Sequence, residues 1–247
     1  MDKQLIGLWL MSGLLLGCAK PEMGREPLTV AIDIGHTLNH PGAVSARGKG
    51  EFLFNKNIAE QLLGELTARG FGGSFIINRD GGDIALTDRT RVAGEKRAGL
   101  FISIHHDSAQ PRYLLTWKHG GSERFYVDSI RGYSLFYSGK NPRASESLAF
   151  AGFLGEELRR NGFSPTLHHA EKIEGENRPL VDAEKGIYRF DGLVVLKTAE
   201  MPAVLVECGV ILNREEEQLL EHPVYQRMIV LSIADAVQEF SVKSAGK

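Results

Sequence analysis

The sequence predicts an α/β fold, a mainly parallel twisted sheet of about six strands with helices on both faces. Three observations predict it. Short β-branched runs alternate with amphipathic stretches, the pattern of strand–helix–strand units whose sheet is covered on both sides. Three apolar runs end in ionisable residues, at Gly35-His36, at His105-His106-Asp107 and at Glu207. Open α/β sheets bind ligands beyond such strand ends. The chain has 247 residues, 43% hydrophobic and 24% charged, a size and composition that suit one α/β domain with a substantial core.

The elements follow in order. Residues 1–17 start weakly polar and continue as an apolar run, Leu5 to Leu16. A membrane-spanning helix needs about 20 apolar residues, so this run fits the apolar region of a secretion signal instead. Its end, "LLGC", resembles the lipobox of bacterial lipoproteins, which implies cleavage before Cys18 and lipidation of that thiol. Ala19 fits outer-membrane sorting, so the expected location is the periplasm, anchored in the outer membrane. Residues 18–27 form a Pro- and Gly-containing tether, and the globular domain is expected over 28–242.

"LTVAIDIG" reads as a buried strand. Phe52, Ile58, Leu62, Leu63 and Leu66 recur at helical spacing, with Gly70 as a stop. "GSFIINR" is a strand ending at Arg79, and "LTDRTRVAGEKRAG" a helix with Thr87 as N-cap. "LFISIHHD" is a strand. "YLLTWKHGGSERFYVDSIR" resists assignment, as an excursion or a hairpin. "GYSLFYSGKNP" is a strand and turn, and "SESLAFAGFLGEELRRNG" an amphipathic helix closed by Gly162. The charged stretch Ser164–Lys185 reads as a surface loop, with room for a short cover but no strong helical period. "GLVVLK" and "MPAVLVECGV" are core strands, and two helices finish the chain.

Net charge is −2, so there is no basic footprint for nucleic acid. Cys18 and Cys208 are the two cysteines, which excludes a disulfide framework and a thiolate-rich zinc site. Any metal is then held by histidines and carboxylates. Two imidazoles and one carboxylate make a three-ligand zinc set with a position left for water. Glu207, an acid within an apolar strand, is the natural proton carrier, because burial raises a carboxyl pKa. Taken singly, His36 also fits a turn, and Glu51 fits a helix N-terminus by charge alone. His40, His119, His168 and His169 read as solvated loop residues. His105 and His106 point to opposite faces of a strand and do not easily share a metal.

Several segments, in order, are similar to the zinc-dependent N-acetylmuramoyl-L-alanine amidases: "VAIDIGHTLNHPGA", "GEF", "NRD", "LTDR", "FISIHHDS", "SESLAFAGFL" and "VLKTAEMPAVLVECGVILNREEEQLL". The resemblance runs from about Leu28 to Phe240. It implies Zn2+ on His36, Glu51 and His105, and Glu207 as the catalytic acid and base. Arg79 and Arg89 match arginines usual in the family, for structure or substrate contacts. His106 is left to line the cleft, contact substrate or cap the strand, and Asp107 to orient an imidazole beside the metal. The implied reaction is cleavage of the amide joining N-acetylmuramic acid to L-alanine in peptidoglycan, the expected partner. A zinc peptidase or deacylase acting on another wall bond, and a non-catalytic wall-binding lipoprotein, are the alternatives. No motif specifies an activator protein.

Overall fold

A computed structural model describes residues 27–245. The expected signal segment, Cys18 and nearly all of the tether lie outside the described residues.

In chain order the elements are β1 (Val30–Ile34), α1 (Glu51–Ala68), β2 (Phe75–Ile77), α2 (Leu86–Glu95), β3 (Leu100–Asp107), β4 (Leu115–His119) and β5 (Ser122–Tyr126). Then come β6 (Ser134–Tyr137), α3 (Ala144–Arg160), β7 (Leu180–Asp182), β8 (Ile187–Arg189), α4 (Val194–Thr198), β9 (Ala203–Val210), α5 (Arg214–Glu221) and α6 (Pro223–Ala245). Seven strands form one sheet in the order β2-β1-β3-β9-β6-β8-β7. The β2, β1, β3 and β9 strands run parallel, while β6 is antiparallel to β9 and β7 to β8. The expected α/β class holds, with one strand more than expected.

Strand parity divides the core. Ile32, Ile102 and Val204 pack on one face with Leu62 of α1, Leu154 of α3 and Ile233 of α6. Ala31, Phe101 and Ala203 pack on the other with Ala93 of α2 and Leu196 of α4. Burying a large apolar side chain contributes about 1.5–3 kcal/mol, so this two-faced burial fixes the register. A one-residue slip would exchange the faces. The register places Ile102 beside Val204 and His105 beside Glu207.

The stretch around Trp117 is the β4–β5 hairpin, turned by Gly120 and Gly121, both with positive φ. Such a two-residue turn needs positive φ at both positions.

Three readings are corrected. "GLVVLK" is not a strand. Its short apolar run is compatible with either state, and it closes as α4, with Lys197 N–H donating to Leu193 O and Thr198 Oγ1 to Val194 O. The α2 helix is capped at Ala85 without a side-chain bond, not at Thr87, which lies inside it. The β2 strand stops at Ile77, because Asn78 adopts φ +61° and turns the chain before Arg79.

Candidate metal centre and active site

The site stands at the carboxyl ends of β1, β3 and β9. His36 follows β1 at φ +68°. Its carbonyl accepts from Arg89 Nη2 at 2.7 Å and from Asn78 Nδ2 at 3.1 Å, which hold that turn. Glu51 is the first residue of α1 and is 4% exposed. Its Oε2 lies 2.9 Å from His36 Nε2 and its Oε1 2.9 Å from His105 Nδ1. The backbone N–H groups of Ala43 and His106, and Asn55 Nδ2, also donate to this carboxylate. Burial raises its pKa, but the bonds to His105 and His36 outweigh that and hold the carboxyl well below its ordinary value.

His36, Glu51 and His105 thus bring three donor atoms within 4.8 Å of one another. Two glycines make the space. A Cβ on Gly35 would overlap the His105 ring, and one on Gly42 would overlap Glu51 and His36. Two imidazole nitrogens and a carboxylate oxygen fit a zinc-type divalent ion better than magnesium or calcium, which favour all-oxygen sets.

Glu207 shares its strand face with His105 and is its register partner. Its Oε2 is buried without a hydrogen-bond partner. Burial, then the nearby Asp107 and Glu51 carboxylates, push its pKa well above the ordinary value. It lines a cavity of about 180 Å³ with Phe136, His169, Glu176, Arg178 and Phe190.

The other expected residues divide. Arg89 is 2% exposed, pairs with Asp33 at 2.7 Å and braces the His36 turn, so it supports the centre from behind. Arg79 is exposed and faces Glu60 of α1 at 3.6 Å. His106 does not line the cleft. It is 1% exposed on the α1 face, bonded through Nδ1 to Asn55 Oδ1 at 2.7 Å and packed on Phe54. Burial lowers its pKa to about 3, so it is neutral. Asp107 does meet an imidazole, but that of His169, at 2.8 Å. An irregularity in the β3–β9 pairing between His105 and Asp107 turns it aside.

His168 and His169 are not solvated: His168 is 6% exposed and His169 is half-buried. Both sit in a stretch whose charge masked them. Asn55 was also missed. It is fully buried and ties Glu51, His106 and the Gly35 carbonyl together. Its position one helical turn after Glu51 was the available signal.

Residues 30–239 match the family described as N-acetylmuramoyl-L-alanine amidase. The chain is 27% identical to the N-acetylmuramoyl-L-alanine amidase AmiC of Neisseria meningitidis serogroup B, over 88% of this chain and 53% of that protein. It therefore spans about half the length of that relative. It is also 27% identical to the N-acetylmuramoyl-L-alanine amidase AmiA of Escherichia coli K12, over 89% of this chain and 77% of AmiA. The crystal structure of the N-acetylmuramyl-L-alanine amidase Ami1 from Mycobacterium smegmatis shares the fold, with a TM-score of 0.67 at 19% identity, covering 87% of this chain and 97% of that one.

Proposed function

The chain belongs to the N-acetylmuramoyl-L-alanine amidase family, and on that premise we propose that it is a zinc enzyme hydrolysing the amide between the lactyl group of N-acetylmuramic acid and L-alanine in peptidoglycan. One observation carries the reading. The His36–Glu51–His105 donor set stands at the same strand ends as Glu207, a carboxylate with an unpartnered buried oxygen.

Zinc held by His36, Glu51 and His105 supplies, when bound, polarisation of the scissile carbonyl and acidification of a water. Glu207 takes the water proton as the oxygen attacks the carbonyl carbon. The carbon–nitrogen bond then breaks, and Glu207 returns that proton to the alanine nitrogen, which leaves as an amine. A carboxyl whose pKa is raised by burial is a stronger base than an ordinary one, so it takes the water proton more readily and holds it until the alanine nitrogen, more basic still as it leaves, receives it. Asn55 and the Ala43 and His106 N–H groups keep Glu51 fixed and ionised for its ligand role.

The proposal extends to the location of the substrate. Residues 1–17 direct export, Cys18 carries the lipid, residues 18–27 tether, and residues 28–242 act on the wall from the periplasmic side of the outer membrane. Acyl chains on the N-terminal peptide, detected by mass, and release of a Cys18→Ser variant from membranes are the expected results.

The central test is digestion of purified sacculi. Mass analysis should find intact stem peptides and peptide-free glycan. Glu207→Gln should retain zinc and lose about 100-fold or more of the rate, the span typical of acid–base catalysis. Cleavage elsewhere in the stem would point to a peptidase. An unimpaired Glu207→Gln would remove the acid from this role.

A further inference from the structure

Beyond the first donor set lies a second cluster that the proposed reaction does not use. Asp107 closes β3, and His168 and His169 lie in a short 3-10 turn, His168–Ala170. His169 Nε2 lies 2.8 Å from Asp107 Oδ2, and His168 Nε2 lies 3.5 Å from the same oxygen. The three donor atoms stand within 4.8 Å of one another.

Each of the three residues has its remaining polar atom engaged. Asp107 Oδ1 accepts from the Ser108 N–H at 2.7 Å. His168 Nδ1 is 2.9 Å from Thr166 Oγ1, and His169 Nδ1 is 2.9 Å from Glu176 Oε2. Glu176 is steadied in turn by Gln110 Nε2 at 2.7 Å. The His169 ring packs edge-on against Phe136 and Tyr188. Metal-binding histidines are held in this way, with the outer ring nitrogen fixed by a carboxylate, carbonyl or hydroxyl so that the inner one faces the ion.

An ion pair alone does not account for the cluster. It satisfies His169, lodged between Asp107 and Glu176, but not His168. The His168 side chain is 4% exposed, and its Nε2 is buried with no hydrogen bond. Burial lowers the pKa of that ring. In the tautomer that gives Nδ1–H to Thr166, the Nε2 lone pair faces the Asp107 carboxylate 3.5 Å away, an arrangement that a cation relieves.

We propose that Asp107, His168 and His169 form a second divalent-metal site, of the zinc class, that fastens the Thr166–Arg178 loop to the end of β3. Two imidazole nitrogens and one carboxylate oxygen select zinc over magnesium or calcium. On loading, His169 releases to solvent the proton it shares with Asp107, as metal binding at a histidine requires. The fastened loop supplies His169, Glu176 and Arg178 to the wall of the Glu207 cavity, so the ion shapes the cleft without entering the reaction.

The test counts metal rather than turnover. The full chain is stripped with chelator, reloaded with zinc alone, passed through a desalting column and assayed for zinc per chain. Two equivalents are expected for the wild type, one for His36→Ala/His105→Ala and one for His168→Ala. The first variant leaves the second cluster untouched, so its remaining equivalent is informative even if His168→Ala folds poorly. Cobalt substituted into that variant should show the absorption of a low-coordinate nitrogen–oxygen site. If His36→Ala/His105→Ala retains no zinc, or His168→Ala keeps both equivalents, the second site is overturned. One equivalent in the wild type that survives His36→Ala/His105→Ala and is lost in His168→Ala would uphold this site while refuting the first.

Discussion

Arg89 and Asp33 form a buried pair, each side chain 2% exposed, and the same guanidinium holds the His36 carbonyl through its second nitrogen. Ser103 Oγ donates to the other Asp33 oxygen at 2.7 Å, so the carboxylate is fully engaged. Arg89→Ala would strand that charge, which typically costs about 3–5 kcal/mol; a urea midpoint lowered by that loss divided by the m-value, with m itself unchanged, is the expected result. Arg89→Lys keeps the charge but not the fork that reaches both Asp33 and His36. It should fold and bind zinc more weakly. Gly35→Ala attacks the centre from the other side, since its Cβ would overlap the His105 ring. Weaker zinc binding by about 10–100-fold, the span seen when a ligand's support is disturbed, is expected in a chain with unchanged circular dichroism. Undiminished zinc affinity in that variant would show that the ring moves freely and is not held in place. Among the candidate site residues, His36, His105 and Glu207 were legible because each stands at or just past the end of an apolar strand, where a polar side chain is conspicuous. Asn55 and His169 were not, because an asparagine on a helix and a histidine in a charged stretch look alike whether buried or solvated.

Local chemistry decides how well each element is delimited. Asn213 caps α5: its Oδ1 accepts from the Glu215 and Glu216 N–H groups, while its Nδ2 donates to the Asp128 and Ile130 carbonyls. The cap therefore also pins the segment leading into β6. Asn213→Ala should cost about 2 kcal/mol, the upper end for a lost cap, because two carbonyl acceptors lose their donor as well. Asn213→Asp should recover part of that loss, since it restores the acceptor but not the donor. Equal thermal midpoints for the two variants would mean the Nδ2 bonds carry the whole effect. Strands and helices with full apolar periods were legible in the sequence, as β1, β3, β9, α1 and α3 show. The α4 helix was not, because so short an apolar run as "GLVVLK" is too brief for periodicity to separate a helical turn from a buried strand. The β4–β5 hairpin was readable only as a possibility, since the outward-facing Phe125 and the inward-phase but exposed Leu115 are apolar residues that no core covers, which blurs the alternation that marks a half-buried strand.

At the scale of the molecule, β3 and β9 are the middle of the sheet, flanked on both sides and covered on both faces. Opening them requires removing α1, α3 and α6 from one face or α2 and α4 from the other, so their exposure should need global unfolding. Cys208 reports on this directly. It is 3% exposed in β9, and burial drives its thiol pKa far above the ordinary value, so in the native chain it is both inaccessible and un-ionised, and only a thiolate reacts. Alkylation of the Cys208 peptide, followed by mass, should be negligible in native buffer and should rise with urea along the same midpoint as far-UV circular dichroism. The β4–β5 hairpin lies outside the main sheet, and its amides should exchange with deuterium well before those of β9 under the same conditions. Labelling of Cys208 at the rate of a free thiol, with the dichroism intact, would mean that β9 opens locally. Glu207, the register partner of His105, would then rest on a mobile strand, and the fixed pairing on which the candidate site's geometry depends would not hold.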